Sequence, residues 1–341
     1  MGIVGAFDIH RGQLTYDYVR TETGEVRRGQ IRPADRQHLR GWLTGFQGEE
    51  GVAFAVEACT GWRYVAEELR RAGCEVHLAE PAELSEKRGP KKRAKTDAAD
   101  ARHSRELLQQ GRTPESWIPT TEILDAREMI RLYKDLMEER GSWLQRIAAT
   151  LFHQGVARLD RVLSPTGKAL LEDVELSPTG RRAVVVGLRQ VERLSEELEV
   201  LGKEIRKRSV EQVACRALIE TQYGVGPILA YAIWAELGDV RRFSSSSDAV
   251  RYAGIDITVY SSDGKRSKGH LSRQGSSLLR WALYEAAMHA SRASSPDHAY
   301  YANVKARRQG DAELAIQSVA RKLVRRCYHT LRELEPVSAA A

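Results

Sequence analysis

Two short apolar runs, each ending in a carboxylate, constrain this chain most. Ile3 to Phe7 leads into Asp8, and the run GVAFAV leads into Glu57. Each run has the length and character of a buried strand. A carboxylate closing such a strand costs desolvation unless something answers it. Around these runs the pattern alternates. After a turn at Arg11-Gly12 the alternation to Val19 suits a second strand, GEV at 24–26 ahead of more basic residues suggests a third, and residues 34–46 suit a helix with Leu39, Trp42 and Leu43 on one face. WRYVAEELRRAG is an amphipathic helix stopped by Gly73, and CEVHLAEP is a strand ended by Pro81. The order β-β-β-α-β-α-β predicts an α/β sheet domain. A helix follows from about Asp97 to Gln110, and residues 113–120, with Pro114 and Pro119, look like a linker.

Beyond the linker the period changes. Ile123, Ala126, Ile130, Tyr133, Met137, Leu144, Ile147 and Leu151 recur at alternating three- and four-residue steps, with Arg140 in the same seam. Val191, Leu194, Leu198, Leu201 and Ile205 repeat the pattern. Such spacing predicts a helical hairpin or coiled coil that mediates self-association. SPTG occurs at 164–167 and at 177–180 and reads as a turn each time. From residue 212 the chain reads as helices around a Ser-, Gly- and Arg/Lys-rich stretch at 255–277. Domains are therefore expected at 1–112, 113–210 and 211–341.

Composition narrows the function. The net charge is 53 − 46 = +7, and basic residues cluster in EKRGPKKRAK (86–95) and again between Lys305 and Arg326. One such run is commonly a solvated face; two in a basic chain point to nucleic acid. No segment has the apolar length of a membrane span. The four cysteines are scattered, with no CxxC pair, which argues against a zinc module or disulfide framework and for a reducing cytoplasm.

Four carboxylates carry the chemistry. Asp8 and Glu57 end strands, while Asp97 and Asp100 are an i, i+3 pair on one helix face. Such a set can ring divalent ions, with Mg²⁺ in octahedral oxygen geometry, and two ions about 4 Å apart serve phosphoryl transfer. Each residue also has an ordinary alternative. Asp8 caps a turn, Glu57 pairs with Arg63, Asp97 follows Thr96 as a helix cap, and Asp100 pairs with Arg102 or His103. Lys87, Arg88, Lys91, Lys92, Arg93 and Lys95 run directly into Asp97, as an anionic substrate requires. Gly224 and Gly226 suit a helix-hairpin-helix turn whose backbone N–H groups hold a phosphate, or else a tight turn between packed helices.

The segments FDIHRG, AVEACTGWRYVAEELRRAGCEVHLAEP and KTDAADARHSREL resemble the N-terminal domain of the DEDD transposases, insertion-sequence enzymes related to the Piv DNA invertase. YGVGPILAYAIWAELGD, FSSSSDAVRYAGI and VYSSDGKRSKGHLSRQGSSLLRWALYEAA resemble that family's second domain. The resemblance implies a RuvC-like form of the RNase H fold, a helical coiled-coil middle and a mainly α C-terminal domain. It places the metal-binding tetrad on Asp8, Glu57, Asp97 and Asp100, with Mg²⁺, in two ions, or Mn²⁺. It places a nucleophilic serine within Tyr260–Gly264. Anchoring on Tyr260 and Gly264 favours Ser262, and counting back ungapped from Gly275 allows Ser261. Arg266, Lys268 and Arg273 flank that serine as phosphate contacts. His10 and His270 are near these motifs in sequence, and no histidine motif marks a general base. The family further implies donor and target DNA, a structured bridge RNA as guide, a dimer assembling to a tetramer, and action on the prokaryotic nucleoid. A water-using resolvase of the Holliday-junction type is the alternative, and it lacks the VYSSDGKRSKGH domain. A non-catalytic nucleic-acid-binding chain is a third, against which all four carboxylates stand.

Overall fold

The computed structural model describes residues 2–87, 96–157, 162–257, 261–262, 265–266 and 271–334, with backbone alone at 261–262 and 265–266. The chain divides into two compact units, Met1–Ile118 and Pro119–Ala341.

The first unit contains β1 (Ile3–Ile9), β2 (Leu14–Arg20), β3 (Val26–Ile31), α1 (Arg36–Leu43), β4 (Val52–Glu57), α2 (Trp62–Arg71), β5 (Glu75–Ala79), α3 (Pro81–Glu86), α4 (Asp97–Gln109) and β6 (Glu115–Ser116). Its sheet order is β3-β2-β1-β4-β5-β6. The first three strands are antiparallel neighbours, β4 and β5 run parallel to β1, and β6 is antiparallel to β5. This mixed sheet is compatible with an RNase H-like domain. The stretch expected to be a linker contributes β6; two residues are too few to display a strand period. Helix α3 was also missed, because Pro81 ends a strand and opens a helix at once.

Strand alternation divides the sheet into two unlike faces. Ile3, Phe7, Ile9, Leu14, Val52, Phe54 and Val56 pack with Leu39, Leu43, Val65 and Leu69 of α1 and α2 into the main core. The opposite face carries Val4, Ala6 and Asp8 on β1 in register with Ala53 and Ala55 on β4, with Glu57 next along β4. Small side chains here let α4 lie close. The packing is tied by Asp17 of β2, which accepts from Arg105 Nε of α4 at 2.5 Å with both side chains buried, and from Arg28 Nε at 2.5 Å.

The second unit is mostly helical: α5 (Thr121–His153), α6 (Pro165–Asp173), α7 (Pro178–Glu211), α8 (Val213–Thr221), α9 (Pro227–Leu237), α10 (Ser246–Tyr252), α11 (Ser277–Met288), α12 (His298–Arg307) and α13 (Ala312–Glu333). The short strands β7 (Ser261–Ser262) and β8 (Lys265–Arg266) pair antiparallel. Both SPTG segments start helices and are not turns. Ser164 and Ser177 are N-caps that accept from Gly167 and Gly180 N–H, each at 3.1 Å, with proline in the first turn. Helices α5 and α7 are antiparallel: Gln212 Nε2 donates to Glu122 Oε1 at 2.8 Å, and Ser177 N–H donates to Gln154 Oε1 at 3.0 Å. Their seam buries Ile123, Ala126, Ile130, Ile147 and Leu151 against Val184, Val191, Leu194, Leu198 and Ile205. Helix α9 is buried all round from Ala230 to Leu237, as its apolar sequence demands. Among the described residues no helix is long and apolar enough to cross a membrane.

Candidate active site

The site forms where β1 turns into β2. His10 and Gln13 exchange backbone hydrogen bonds, His10 N–H to Gln13 O at 3.0 Å and the reverse at 3.3 Å, across the Arg11-Gly12 turn. Asp8, His10 and Gln13 consequently share the face covered by α4. That helix begins at Asp97. Its N-cap is Thr96, whose hydroxyl accepts from Ala99 N–H at 3.2 Å, so Asp97 is the first helical residue and not the cap. Asp97 and Asp100 both fall in the first turn, where negative charge complements the helix dipole.

The resulting contacts are close. His10 Nε2 lies 3.3 Å from Asp8 Oδ2 and 3.4 Å from Asp97 Oδ1. Gln13 Nε2 donates to Asp97 Oδ2 at 3.0 Å, and Gln13 Oε1 accepts from Arg32 Nε at 2.9 Å. An arginine can only donate and a carboxylate only accept, so these two partners fix the amide's orientation. Asp8, His10 and Asp97 each offer a ligand atom within 4.8 Å of the others, a spacing one ion spans.

Burial pushes the Asp8 carboxyl above its ordinary range; His10 opposes this, while Asp97 and Asp100 add to it. Asp100 is thus within electrostatic reach of Asp8. Glu57 is in reach as well. Phe7 and Val56 are register partners on adjacent strands, so Asp8 and Glu57 follow side by side on the same face. Cys59 senses both: burial first, then Glu57 and Asp8, push its thiol up to about 11. The thiol is therefore protonated at neutral pH. All four carboxylates come to one end of the sheet, on two neighbouring strands and one helix.

Other sequence-predicted residues fall elsewhere. Lys87 Nζ donates to the Arg112 carbonyl at 2.7 Å, past the far end of α4, so this cation is engaged away from the carboxylates. Arg88, Lys91, Lys92, Arg93, Lys95, His270 and Lys268 lie outside the described residues, as do the side chains of Ser261, Ser262 and Arg266. Gly224 stands at φ +84°, and a Cβ there would meet the Ala286 carbonyl oxygen at 2.5 Å, so packing alone requires glycine. Gly226 has open space around its Cα and is the N-cap of α9 without a side-chain cap.

The segment carrying the two serines leaves and rejoins the fold through a tight stem. Ile257 bridges Leu271, Ser272 N–H donates to Asp256 O at 3.1 Å, and Arg273 N–H donates to Gly254 O at 3.0 Å. The backbones touch: a Cβ on Gly254 would sit 1.9 Å from Gln274 O, and one on Gly275 2.0 Å from Tyr252 O. Arg280 Nη1 donates to the Gly275 carbonyl at 3.1 Å. Burial, then neighbouring Arg273, pushes the Arg280 guanidinium down. Two guanidiniums thus crowd the stem. Sequence reasoning found Arg273 and missed Arg280, and it left His10 and Gln13 without a role, because only folding sets them beside their partners.

A family model described as "Transposase IS116/IS110/IS902 family" matches residues 216–302, the region that includes this stem. That stretch of the chain is therefore similar to this transposase family. Similarity to whole transposases extends the likeness. A putative transposase, y4rJ, of Sinorhizobium fredii is 28% identical over 254 residues, covering 64% of this chain and 60% of its own length. A probable family 20 transposase of Pseudomonas aeruginosa is 26% identical over 243 residues, covering 68% and 69% respectively. The transposase for insertion sequence element IS1328 of Yersinia enterocolitica is 26% identical over 244 residues, with the same coverage. The chain therefore matches less than two thirds of the first relative's length and slightly more of the other two.

Proposed function

We propose that the protein is a DNA transposase that cleaves and rejoins strands at the ends of an insertion sequence, using a divalent-ion site built on Asp8, Glu57, Asp97 and Asp100. The observation that carries this reading is the meeting of Asp8 and Asp97, with Asp100 and Glu57 in reach, where Asp8 and Asp97 contact no lysine or arginine among the described residues. The residues present suit a hard cation: several carboxylate oxygens at one open end of the sheet. Asp8, Glu57, Asp97 and Asp100 would hold magnesium, in two ions, or manganese, which would supply charge neutralisation at the scissile phosphate. Gln13 holds one oxygen of Asp97, and the other faces His10.

The strand-transfer step falls to a serine of the loop, Ser262, with Ser261 as the alternative register. Its Oγ forms a bond to phosphorus while the bond from phosphorus to the 3′ oxygen breaks. The hydroxyl proton is lost to solvent and the 3′ oxygen takes one up. The phosphodiester's bond energy is kept in the seryl ester, so strands reseal without ATP. Arg266, Lys268, Arg273 and the Gly226 turn serve as phosphate contacts. Donor and target DNA are the substrates. A bridge RNA as guide, and a dimer assembling to a tetramer through the α5–α7 hairpin, are part of the same reading and rest on the family resemblance.

The test is strand cleavage on DNA carrying the element's ends, with the adjacent non-coding RNA supplied. Asp97→Asn should lower cleavage at least about 10³-fold with an unchanged melting temperature, and normal cleavage by that variant would end the metal reading. Trapping a protein–DNA adduct and mapping it by mass spectrometry decides between Ser262 and Ser261. Full activity with both serines replaced by alanine would sink the serine step.

A further inference from the structure

We propose that His10 is a direct ligand in this site and that it makes the site prefer a first-row transition ion, Mn²⁺, over Mg²⁺. This rests on the cation reading above. The strand-end carboxylates alone make an oxygen site, to which Mg²⁺ and Mn²⁺ are nearly equivalent. An imidazole nitrogen distinguishes them, since nitrogen ligands favour the later, softer ions while carboxylates suit Mg²⁺ and Mn²⁺ alike. Manganese is the ion common to both ligand types.

The geometry places that nitrogen in the ligand set. Ligand atoms about 2.1 to 2.3 Å from one ion and cis to each other are about 3.0 to 3.3 Å apart in octahedral coordination. His10 Nε2 stands 3.3 Å from Asp8 Oδ2 and 3.4 Å from Asp97 Oδ1, close to two such edges. The imidazole sits between the carboxylates and not behind either one. Its side chain is 53% exposed while that of Asp8 is 16% exposed, so the imidazole is open to solvent and to an incoming ion. Its position is built. Backbone pairing with Gln13 fixes the end of β1, and the Arg32–Gln13–Asp97 chain holds Asp97 with Oδ1 turned towards His10. An ordinary charge pair between His10 and the two aspartates uses the same distances, and it makes a different prediction for glutamine at position 10, which donates a hydrogen bond but brings no imidazole.

The experiment uses the full-length protein and direct ion binding, without turnover. Mn²⁺ is titrated and followed by electron paramagnetic resonance, with pulsed detection of nitrogen coupling, and Mg²⁺ binding is measured by calorimetry. The wild type should show ¹⁴N coupling to bound Mn²⁺. His10→Ala and His10→Gln, both confirmed folded by circular dichroism, should lose that coupling and at least about tenfold of the Mn²⁺ affinity, with Mg²⁺ affinity changed less than about twofold. Bound Mn²⁺ without nitrogen coupling in the wild type, or full Mn²⁺ affinity in His10→Gln, overturns the ligand assignment and leaves the carboxylate site standing. No binding of either ion by the wild type overturns both.

Discussion

Glu68 and Asp8 are carboxylates in the same unit, each removed from water to a large degree, and the protein treats them in opposite ways. Glu68 on α2 is fully buried and surrounded by arginines. Arg40 Nε donates to it at 2.5 Å, Arg36 at 2.7 Å and Arg71 at 2.9 Å. The hydrogen bond from Arg40, reinforced by Arg36 and Arg71, pulls its carboxyl down to about 2 against the cost of burial. Asp17 is likewise paired with arginines, Arg28 and Arg105. Asp8 is answered by one histidine, so burial first, and then Asp97 and Asp100, move its carboxyl up instead of down. In a chain with 53 lysines and arginines, a carboxylate that structure alone requires has acquired its cations. Asp8 and Asp97 contact no lysine or arginine among the described residues, and negative charge gathered there is suited to a cation from solution.

The largest effect should come from breaking the compensated side. Glu68→Ala leaves Arg36, Arg40 and Arg71 converging on a void, and the loss should reach about 3 kcal/mol, the low end for a broken buried ion pair because the arginines are half exposed. Chemical denaturation should show that loss while Mn²⁺ binding, measured on the folded variant, stays as in wild type. A variant as stable as wild type would show that the arginines are indifferent to Glu68, and the contrast with Asp8 would go with it.

An intermediate effect is expected in acid. The folded pKa of Glu68 is depressed, so its contribution is fully present above its unfolded pKa and is lost as pH falls through the folded value of about 2. Between about pH 5 and pH 2, Glu68 should contribute a loss of about 2 kcal/mol, reduced from the full shift because the arginines are themselves half exposed. Denaturation midpoints measured across that window in wild type and Glu68→Gln should diverge upwards with pH. Parallel curves would show that Glu68 is ordinary.

How much of this could be read from sequence differs between the two carboxylates. Asp8 and Glu57 were legible because an acid at the end of an apolar strand breaks a short, local pattern. Asp97 and Asp100 were legible through helical spacing. Glu68 was invisible: on α2 it reads as one more polar residue, and the arginines that bury it come partly from α1, about thirty positions away, as Arg36 and Arg40 show. Gln13 escaped notice, and His10 stood out only as a neighbour in sequence, because a two-residue turn, not spacing along a strand, sets them beside Asp8 and Asp97. The strand β6 escaped for want of length, and the SPTG segments because a serine-proline pair marks a turn and a helix cap alike.

The smallest effect probes the uncompensated side and runs against intuition. A carboxyl whose folded pKa is raised is charged at a cost in the folded state, so at neutral pH its ionisation opposes folding. Asp8→Asn keeps the shape, removes that charge and eases repulsion with Asp97 and Asp100. In EDTA the variant should therefore melt slightly above wild type, by less than either Glu68 effect, because His10 loses a partner at the same time. With Mn²⁺ present the order should reverse, since wild type gains stability from an ion that binds only the folded state and the variant gains little. A variant that melts lower than wild type in EDTA would mean that Asp8 is held as Glu68 is, by contacts that need its charge, and the sheet end would then be a structural ion pair with His10 instead of a place kept for a metal.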